Sequence, residues 1–501
     1  MIGEISEVTG AVVAALTSEG YRVRQALPGQ AVRQLQADRY EADLSSPQQL
    51  QELHRLVVGS DGGVVDILIS FLGLYQTFNL LNGKTEEVSM TIAQWTLHLV
   101  KEFAEELRSS AAAGGGWFVN LTSLDGQFGL KGGPVSVASA GTLGISKTLQ
   151  REYPRLHVKS IDIEADISPD MLAARLLQEL TVEDDLLEVG LTRQGRWRLV
   201  LKQEPVTRNL PPLPLDAESV VLLTGGASGV TAEVAKVLAA RARPRLILVG
   251  RSTWQELETP RTSALDQAAL RKLFVEDARR YRAPVLPVEI EQRVNRILKD
   301  REIRGNIDAC IAAGATIEYH SLDVRDAQQL GGLIDDLYER FGRIDGVVHG
   351  AGILADKRIQ DKTAASFANV FRTKVDSALT LAEKLRPGRL KFLVFFGSVS
   401  GRFGNAGQVD YSAANEVLNK LADHLASCWT ARVVCINWGP WDAGMVSDDL
   451  RRLYASRGIE LIAVPDGVQA FLDELRVPSR GAEVVISHSV EQVLRADRQA
   501  K

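Results

Sequence analysis

The sequence predicts an α/β fold of two Rossmann-like, doubly wound parallel-sheet subdomains, the first degenerate and structural, the second catalytic. Three observations carry this prediction. Short apolar runs alternate with helical patterns through the second half of the chain. A strand pattern breaks into closely spaced glycines and then into a helix pattern over Val220–Thr231. Thr122-Ser-Leu-Asp-Gly-Gln-Phe-Gly129 and Gly397-Ser-Val-Ser-Gly-Arg-Phe-Gly404 match at an offset of 275 residues, each after an apolar run, and the same offset sets Ile161-Asp162 against Ile436-Asn437. The two halves therefore read as a divergent repeat.

Residues 1–205 form the first subdomain. Its helical pattern begins at once, around Val8–Leu16, with no glycine-rich strand-turn-helix ahead of it and no complete first strand. At the repeat offset, Tyr411 and Asn415 of the second half correspond to Ser136 and Ala140, so the first half is expected to keep a fold without a site and to support the second by packing. The proline-rich stretch Glu204–Asp216 separates the halves, with residues 206–216 as linker. Residues 217–490 form the catalytic subdomain, with strands expected at Val220–Leu223, Leu246–Val249, Ile317–Ser321, Gly346–His349, Phe392–Phe396, Val433–Asn437 and Glu483–Ile486. An insertion over about 252–315 reads as two charged helices, Leu265–Arg280 and Val288–Ala313, with i,i+4 pairs such as Glu276 with Arg280 and Glu289 with Arg293. It is expected to be a solvated excursion. From the charged tail 491–501 and the incomplete first strand, an excised domain is expected.

Composition narrows the function classes. The 501 residues are 45% hydrophobic and 24% charged, enough for large cores. With 58 Lys plus Arg against 63 Asp plus Glu, the net charge is −5, and no basic stripe points to nucleic acid. Cys310, Cys428 and Cys435 are odd in number and lack metal-ligand spacing, so they are expected to be small buried hydrophobes in a reducing compartment. The seven His form no cluster, and no metal site is expected. Neither a leader pattern nor a long apolar stretch is present, so the expected location is cytoplasmic, with no membrane partner.

The glycine turn points to a dinucleotide. Gly225, Gly226 and Gly229 let the backbone approach a pyrophosphate, and the helix starting near Ser228 and Val230 can receive its charge. Thr231 stands where the third glycine of the common fingerprint would fall. The next apolar run ends in Arg251-Ser252, where an acidic residue would hold the ribose of NAD; a cation there suits the extra phosphate of NADPH.

Ser398, Tyr411 and Asn415 carry the chemistry. Ser398 follows a strand at the sheet's carboxyl end, Tyr411 opens the next helix, and Asn415 lies one turn along the same face. A phenol near its free pKa of about 10 needs a nearby cation to work at neutral pH. Lys420 falls on the opposite face of the helix, so Lys374, from a separate helix, is the better candidate.

With these residues in place, 218–488 resemble the ketoreductase domains of type I polyketide and fatty acid synthases, a branch of the short-chain dehydrogenase/reductase superfamily. In that branch lysine and asparagine have exchanged places, and Tyr411-x-x-x-Asn415 with a remote Lys374 fits the exchange. Leu322-Asp-Val324 resembles the family's adenine contact, through Asp323 and Val324. His349-Gly-Ala-Gly352 resembles the glycine strand end beneath the cofactor, contributing Gly350, Ala351 and Gly352, and Asn437–Trp441 resembles the loop beside the nicotinamide, contributing Pro440. Ala355–Thr363, Gly401–Asn405 and Gly444–Val446 are most similar in wording to iterative polyunsaturated fatty acid synthases and related bacterial polyketide synthases. The first half resembles their truncated non-catalytic subdomain.

The resemblance implies that NADPH reduces the β-carbonyl of an acyl thioester on an acyl carrier protein, with neighbouring synthase domains as further partners. It implies Tyr411 as proton donor, Ser398 as the hydrogen bond to the carbonyl oxygen, and Asn415 as holder of a relay water. Lys374 and Tyr411 would also contact the cofactor, Lys374 binding its ribose and lowering the tyrosine pKa. Leu354-Ala355-Asp356, near the family's Leu-Asp-Asp, leans toward the D-hydroxy product, and Phe403 stands where the opposite class carries tryptophan. Arg358 and Arg402 are candidate basic residues for the carrier. Two other readings remain: a free-standing NADPH-dependent carbonyl reductase, and a non-catalytic NADPH-binding scaffold.

Overall fold

The computed structural model describes residues 1–488 apart from 5, 60–63, 76–84, 134, 183, 205–208, 254–257, 282–283, 285, 445, 447 and 478–480. The expected tail and the first residues of the linker lie outside the described residues. In the first half, helices α1 (Glu7–Ser18), α2 (Pro47–Val58), α3 (Thr85–Ala111), α4 (Ala140–Glu152) and α5 (Pro169–Thr181) accompany two sheets. One contains β1 (Gln25–Pro28), β2 (Arg33–Gln36) and β3 (Arg39–Ala42); the other runs in order through β4 (Ile67–Gly73), β5 (Trp117–Thr122), β6 (His157–Ile163), β7 (Glu188–Thr192) and β8 (Gly195–Arg198). Ile2 bridges Ala26 of β1 and Ser70 of β4, both in parallel, so one residue stands where a full strand would join the sheets. Pairing from β4 to β7 is parallel, and two hairpins, β2–β3 and β7–β8, add antiparallel edges.

The second half holds β9 (Val220–Thr224), α6 (Gly229–Ala242), β10 (Arg245–Gly250), α7 (Gln267–Arg280), α8 (Pro287–Ala312), β11 (Thr316–Ser321) and α9 (Ala327–Phe341). It continues through β12 (Gly346–His349), α10 (Ala364–Lys384), β13 (Phe392–Ser398), α11 (Val399–Phe403), α12 (Val409–Cys428), β14 (Arg432–Trp438), α13 (Asp448–Ser456), α14 (Val464–Arg476) and β15 (Glu483–Ile486). The sheet order is β11-β10-β9-β12-β13-β14-β15, and every pair is parallel. Strand order reverses between β9 and β12, which opens a crevice at their carboxyl ends. Val220–Leu223 is buried throughout, because helices cover both faces of a parallel sheet.

The insertion departs from the expected solvated excursion. Leu270 and Phe274 of α7 pack with Ile290, Val294 and Ile297 of α8 in a small core of their own. Farther along α8, Ile303, Ile307 and Cys310 join the sheet core with Val234 and Leu238 of α6. The helix is long enough to run from the excursion back onto the domain, so its later apolar residues find a buried face. Its charges pair across the helices, as in Arg271 with Glu291, and Arg293, expected beside Glu289, lies 4.1 Å over the Phe274 ring.

The halves share one core, in which Leu97, Ala140 and Ile145 meet Phe371, Val375, Ala413 and Val417. Helices α4 and α12 approach closely at Gly144, where an added Cβ would lie 2.4 Å from the Ser412 carbonyl oxygen. Cys310 and Cys435 are buried as expected, whereas Cys428, the last residue of α12, is exposed. Among the described residues no His, Cys, Asp or Glu cluster could hold a metal ion, and no helix is long and apolar enough to cross a membrane.

Candidate active site

The glycine turn lies at the crevice between β9 and β12, and its three glycines do different work. Gly225 (φ 72°) would, with a Cβ, come within 3.1 Å of the Gly350 carbonyl oxygen, and Gly226 within 2.7 Å of the Leu223 Cβ. At these two positions the close packing of the turn itself excludes a side chain. Gly229 (φ 57°) is less crowded: among the described residues a Cβ added there would meet the Gly444 Cα at 3.6 Å, an ordinary contact. Ser228, the residue before α6, makes no side-chain cap, so the first N–H groups of the helix are not capped by it. The missing third glycine is balanced across the crevice: a Cβ on Gly350 would lie 2.1 Å from Thr231 Oγ1. Thr231 takes the space that Gly350 leaves.

Around this turn stand the other expected cofactor residues. Arg251 is exposed just past β10, and the Ser252 carbonyl accepts the Tyr319 hydroxyl at 2.7 Å. Asp323 is held by Arg325 at 3.0 Å, and this guanidinium keeps its carboxyl below the usual range; Val324 is buried. A helix start that Ser228 does not cap and the cation at the end of β10 fit a phosphorylated dinucleotide.

Lys374 on α10 and Tyr411 on α12 meet at the same strand ends. The Lys374 Nζ donates to the Phe396 carbonyl of β13 at 2.7 Å and lies 5.4 Å from the Tyr411 ring centroid. Gly352 makes room, since a Cβ there would come 3.0 Å from Lys374 Cε. Burial pushes the ammonium down to about 8 and the phenol up to about 12. For Tyr411 the largest cause is loss of solvent around the phenol.

Asn415 is fully buried, its Nδ2 donating to the Tyr411 carbonyl at 2.7 Å while its Oδ1 has no protein partner. That buried acceptor can hold a water. Ser398 ends β13 and caps α11, its Oγ accepting the Ser400 N–H at 3.2 Å. Pro440 follows the carboxyl end of β14.

Sequence reasoning missed several groups that hold these residues. The Ser400 hydroxyl donates to Gln408 Oε1 at 2.8 Å, and Gln408 Nε2 donates to Asp356 at 2.9 Å, linking the Ser398 turn to the loop after β12. Gln408 stands three residues before Tyr411, a helical spacing that could have marked it. His349 bridges Thr224 Oγ1 (2.7 Å) and the Lys374 carbonyl (3.0 Å). A carbonyl partner requires Nε2 to carry the proton, so Nδ1 accepts from Thr224. Burial keeps the ring neutral by pushing it down to about 3. Lys362 and Asp410 form a fully buried pair at 2.7 Å, and Asp410 accepts the Tyr411 N–H at 2.9 Å.

The first half reaches the same region. Lys147 donates to the Gly401 carbonyl (3.1 Å) and Arg151 to that of Phe403 (2.8 Å). Arg402, a candidate for carrier docking, is instead buried between Glu188 and Glu483, because its neighbours on α11 pack against α4. Arg358 is exposed.

Residues 219–443 match the family model described as the KR domain. The chain is 27% identical over 497 residues to a polyunsaturated fatty acid synthase subunit of Thraustochytrium sp., a match that covers 96% of this chain and 17% of that protein. The chain thus spans only a small part of that relative's length. Among solved structures, it resembles the ketoreductase from the first module of phoslactomycin biosynthesis in Streptomyces sp. HK803, with a TM-score of 0.59, 25% identity, and coverage of 79% of this chain and 83% of that one. It also shares the fold of an N-terminal ketoreductase from the macrolactin assembly line, with a TM-score of 0.69, 18% identity, and coverage of 99% and 88%.

Proposed function

We propose that the chain, whose residues 219–443 match the KR domain model, is a ketoreductase of the type I polyketide synthase kind within the short-chain dehydrogenase/reductase superfamily, and that it reduces the β-keto group of an acyl thioester on an acyl carrier protein to a β-hydroxyacyl thioester. Bound NADPH supplies the hydride. Tyr411 donates the proton to the developing alkoxide, and Ser398 holds the carbonyl oxygen against it. Lys374 would hold the nicotinamide ribose, and its ammonium beside the Tyr411 ring would favour the phenolate as the proton leaves, against the effect of burial. Asn415 holds a water that passes protons inward.

We read residues 1–205 as a structural subdomain, 206–216 as linker and 217–490 as the catalytic subdomain, within an iterative synthase whose other domains are neighbours. Likeness to a polyunsaturated fatty acid synthase over nearly the whole chain supports this. The observation that carries the catalytic reading is the Lys374 ammonium reaching the Tyr411 ring from a different helix beside the glycine strand end. The test is NADPH oxidation with a β-ketoacyl thioester analogue, wild type against Tyr411→Phe. A loss of roughly 100-fold or more is expected, in line with general acid catalysis. Equal rates would overturn the mechanism, and no oxidation by wild type would favour a scaffold.

A further inference from the structure

Helix α8 sets a carboxylate on the N-terminus of α6. Glu302 Oε1 accepts the N–H of Gly229, the first residue of that helix, at 2.8 Å. Its Oε2 lies 3.0 Å from Lys299 Nζ, one turn back on α8. One turn further on, Asn306 Nδ2 donates to the Ala227 carbonyl of the glycine turn at 3.0 Å. The placement is held by packing, because Ile303, Ile307 and Cys310 of the same helix are buried in the core that includes α6.

The first N–H groups of a helix favour an anion, and Gly229 is the least crowded glycine of the turn, with the nearest described atom 3.6 Å from an added Cβ against 3.1 Å at Gly225 and 2.7 Å at Gly226. The carboxylate therefore occupies the donor that the pyrophosphate of a dinucleotide would use. One N–H cannot serve two anions at once, and their charges repel at this distance. Displacing Glu302 does not leave it bare, since Lys299 still neutralises it.

We propose that Glu302 is a displaceable acidic cap on the cofactor cleft, which competes with the dinucleotide pyrophosphate for the Gly229 N–H and so sets cofactor affinity. The proposal rests on reading this cleft as the NADPH site, and it gives the insertion a role there. Lys299 keeps the cap easy to displace.

The experiment titrates wild type, Glu302→Gln and Lys299→Ala with NADPH, followed by cofactor fluorescence, at low and high salt. Adenosine 2′-phosphate, which lacks the pyrophosphate, is titrated in parallel by calorimetry. Glu302→Gln should tighten NADPH binding about threefold to tenfold at low salt, and the gain should shrink at high salt as charge is screened. Lys299→Ala should weaken NADPH binding, and adenosine 2′-phosphate should bind all three proteins alike. Equal or weaker NADPH binding by Glu302→Gln, with wild type binding normally, overturns this proposal alone. If wild type binds neither ligand, the cofactor reading falls and takes the proposal with it.

Discussion

The Glu152 carboxylate, on the last residue of α4, accepts the Gly407 N–H at 2.8 Å from the other half of the chain. Its second oxygen accepts the Ile359 N–H at 2.9 Å. Gly407 (φ 84°) lies in the turn four residues before Tyr411, and Ile359 follows the loop that carries Asp356. A carboxylate at a helix C-terminus opposes the helix dipole, so these two N–H groups are what make the position favourable. Glu152→Ala should lower kcat roughly 10- to 100-fold by loosening both loops. NADPH affinity should change little, because the glycine turn is not touched. Steady-state kinetics with a fluorescence titration check this, and a parallel loss of cofactor binding would count against it.

Lys374 ties activity and stability to pH in opposite directions. Burial lowers its pKa from 10.5 to about 8, so the folded protein binds fewer protons than the unfolded chain between those values. Stability should therefore rise with pH through that window, by at most about 3 kcal/mol. Over the same rise Lys374 loses the charge that favours the phenolate, so kcat/KM for reduction should fall with an apparent pKa near 8. A pH–rate profile and denaturant melts across pH 7–10, with Lys374→Met as reference, would show whether both trends depend on this residue.

Gly350 and Thr231 are coupled by volume. Gly350→Ala puts a methyl 2.1 Å from Thr231 Oγ1, and should cost about 1–3 kcal/mol by overpacking while displacing the start of α6. Adding Thr231→Gly should restore most of the stability and the cofactor affinity. A double-mutant cycle by denaturant unfolding measures the coupling; additive costs would mean that the two side chains do not compete for one space.

Lys147 anchors a buried ion cluster between the halves. Its Nζ lies 3.0 Å from both Glu188 and Glu416, and Lys420 pairs with Glu483 at 3.1 Å. Lys147→Met removes one of the two cations facing each buried carboxylate, leaving Glu188 with Arg402 and Glu416 with Lys420, and should destabilise the protein by up to about 3 kcal/mol. Chemical denaturation would read this as a lower midpoint.

The strands are legible because a parallel sheet buried on both faces demands continuous apolar runs, as in Val220–Leu223 and Phe392–Phe396. The spacing of Tyr411 and Asn415 on α12 is legible for a similar reason, since helical periodicity is local. The two helices of the insertion are legible as well, but the burial of α8 is not, because its charge pattern, averaged over the segment, hides the stripe of Ile303, Ile307 and Cys310. Nor is the place of Arg402, because no local signal marks a cation that pairs with Glu188, more than two hundred residues away.

Sequence alone determined the order of strands in the second half, the glycine turn and the residue types at the strand ends, because each depends on neighbours within a few turns of chain. Tertiary structure decided which glycines of the turn are crowded and which one is less so, how burial moves the Lys374 and Tyr411 protons, and which side chains from the first half and the insertion hold the site. Those outcomes depend on space, solvent exclusion and charge between segments far apart in sequence, and no periodicity in the chain encodes such distances.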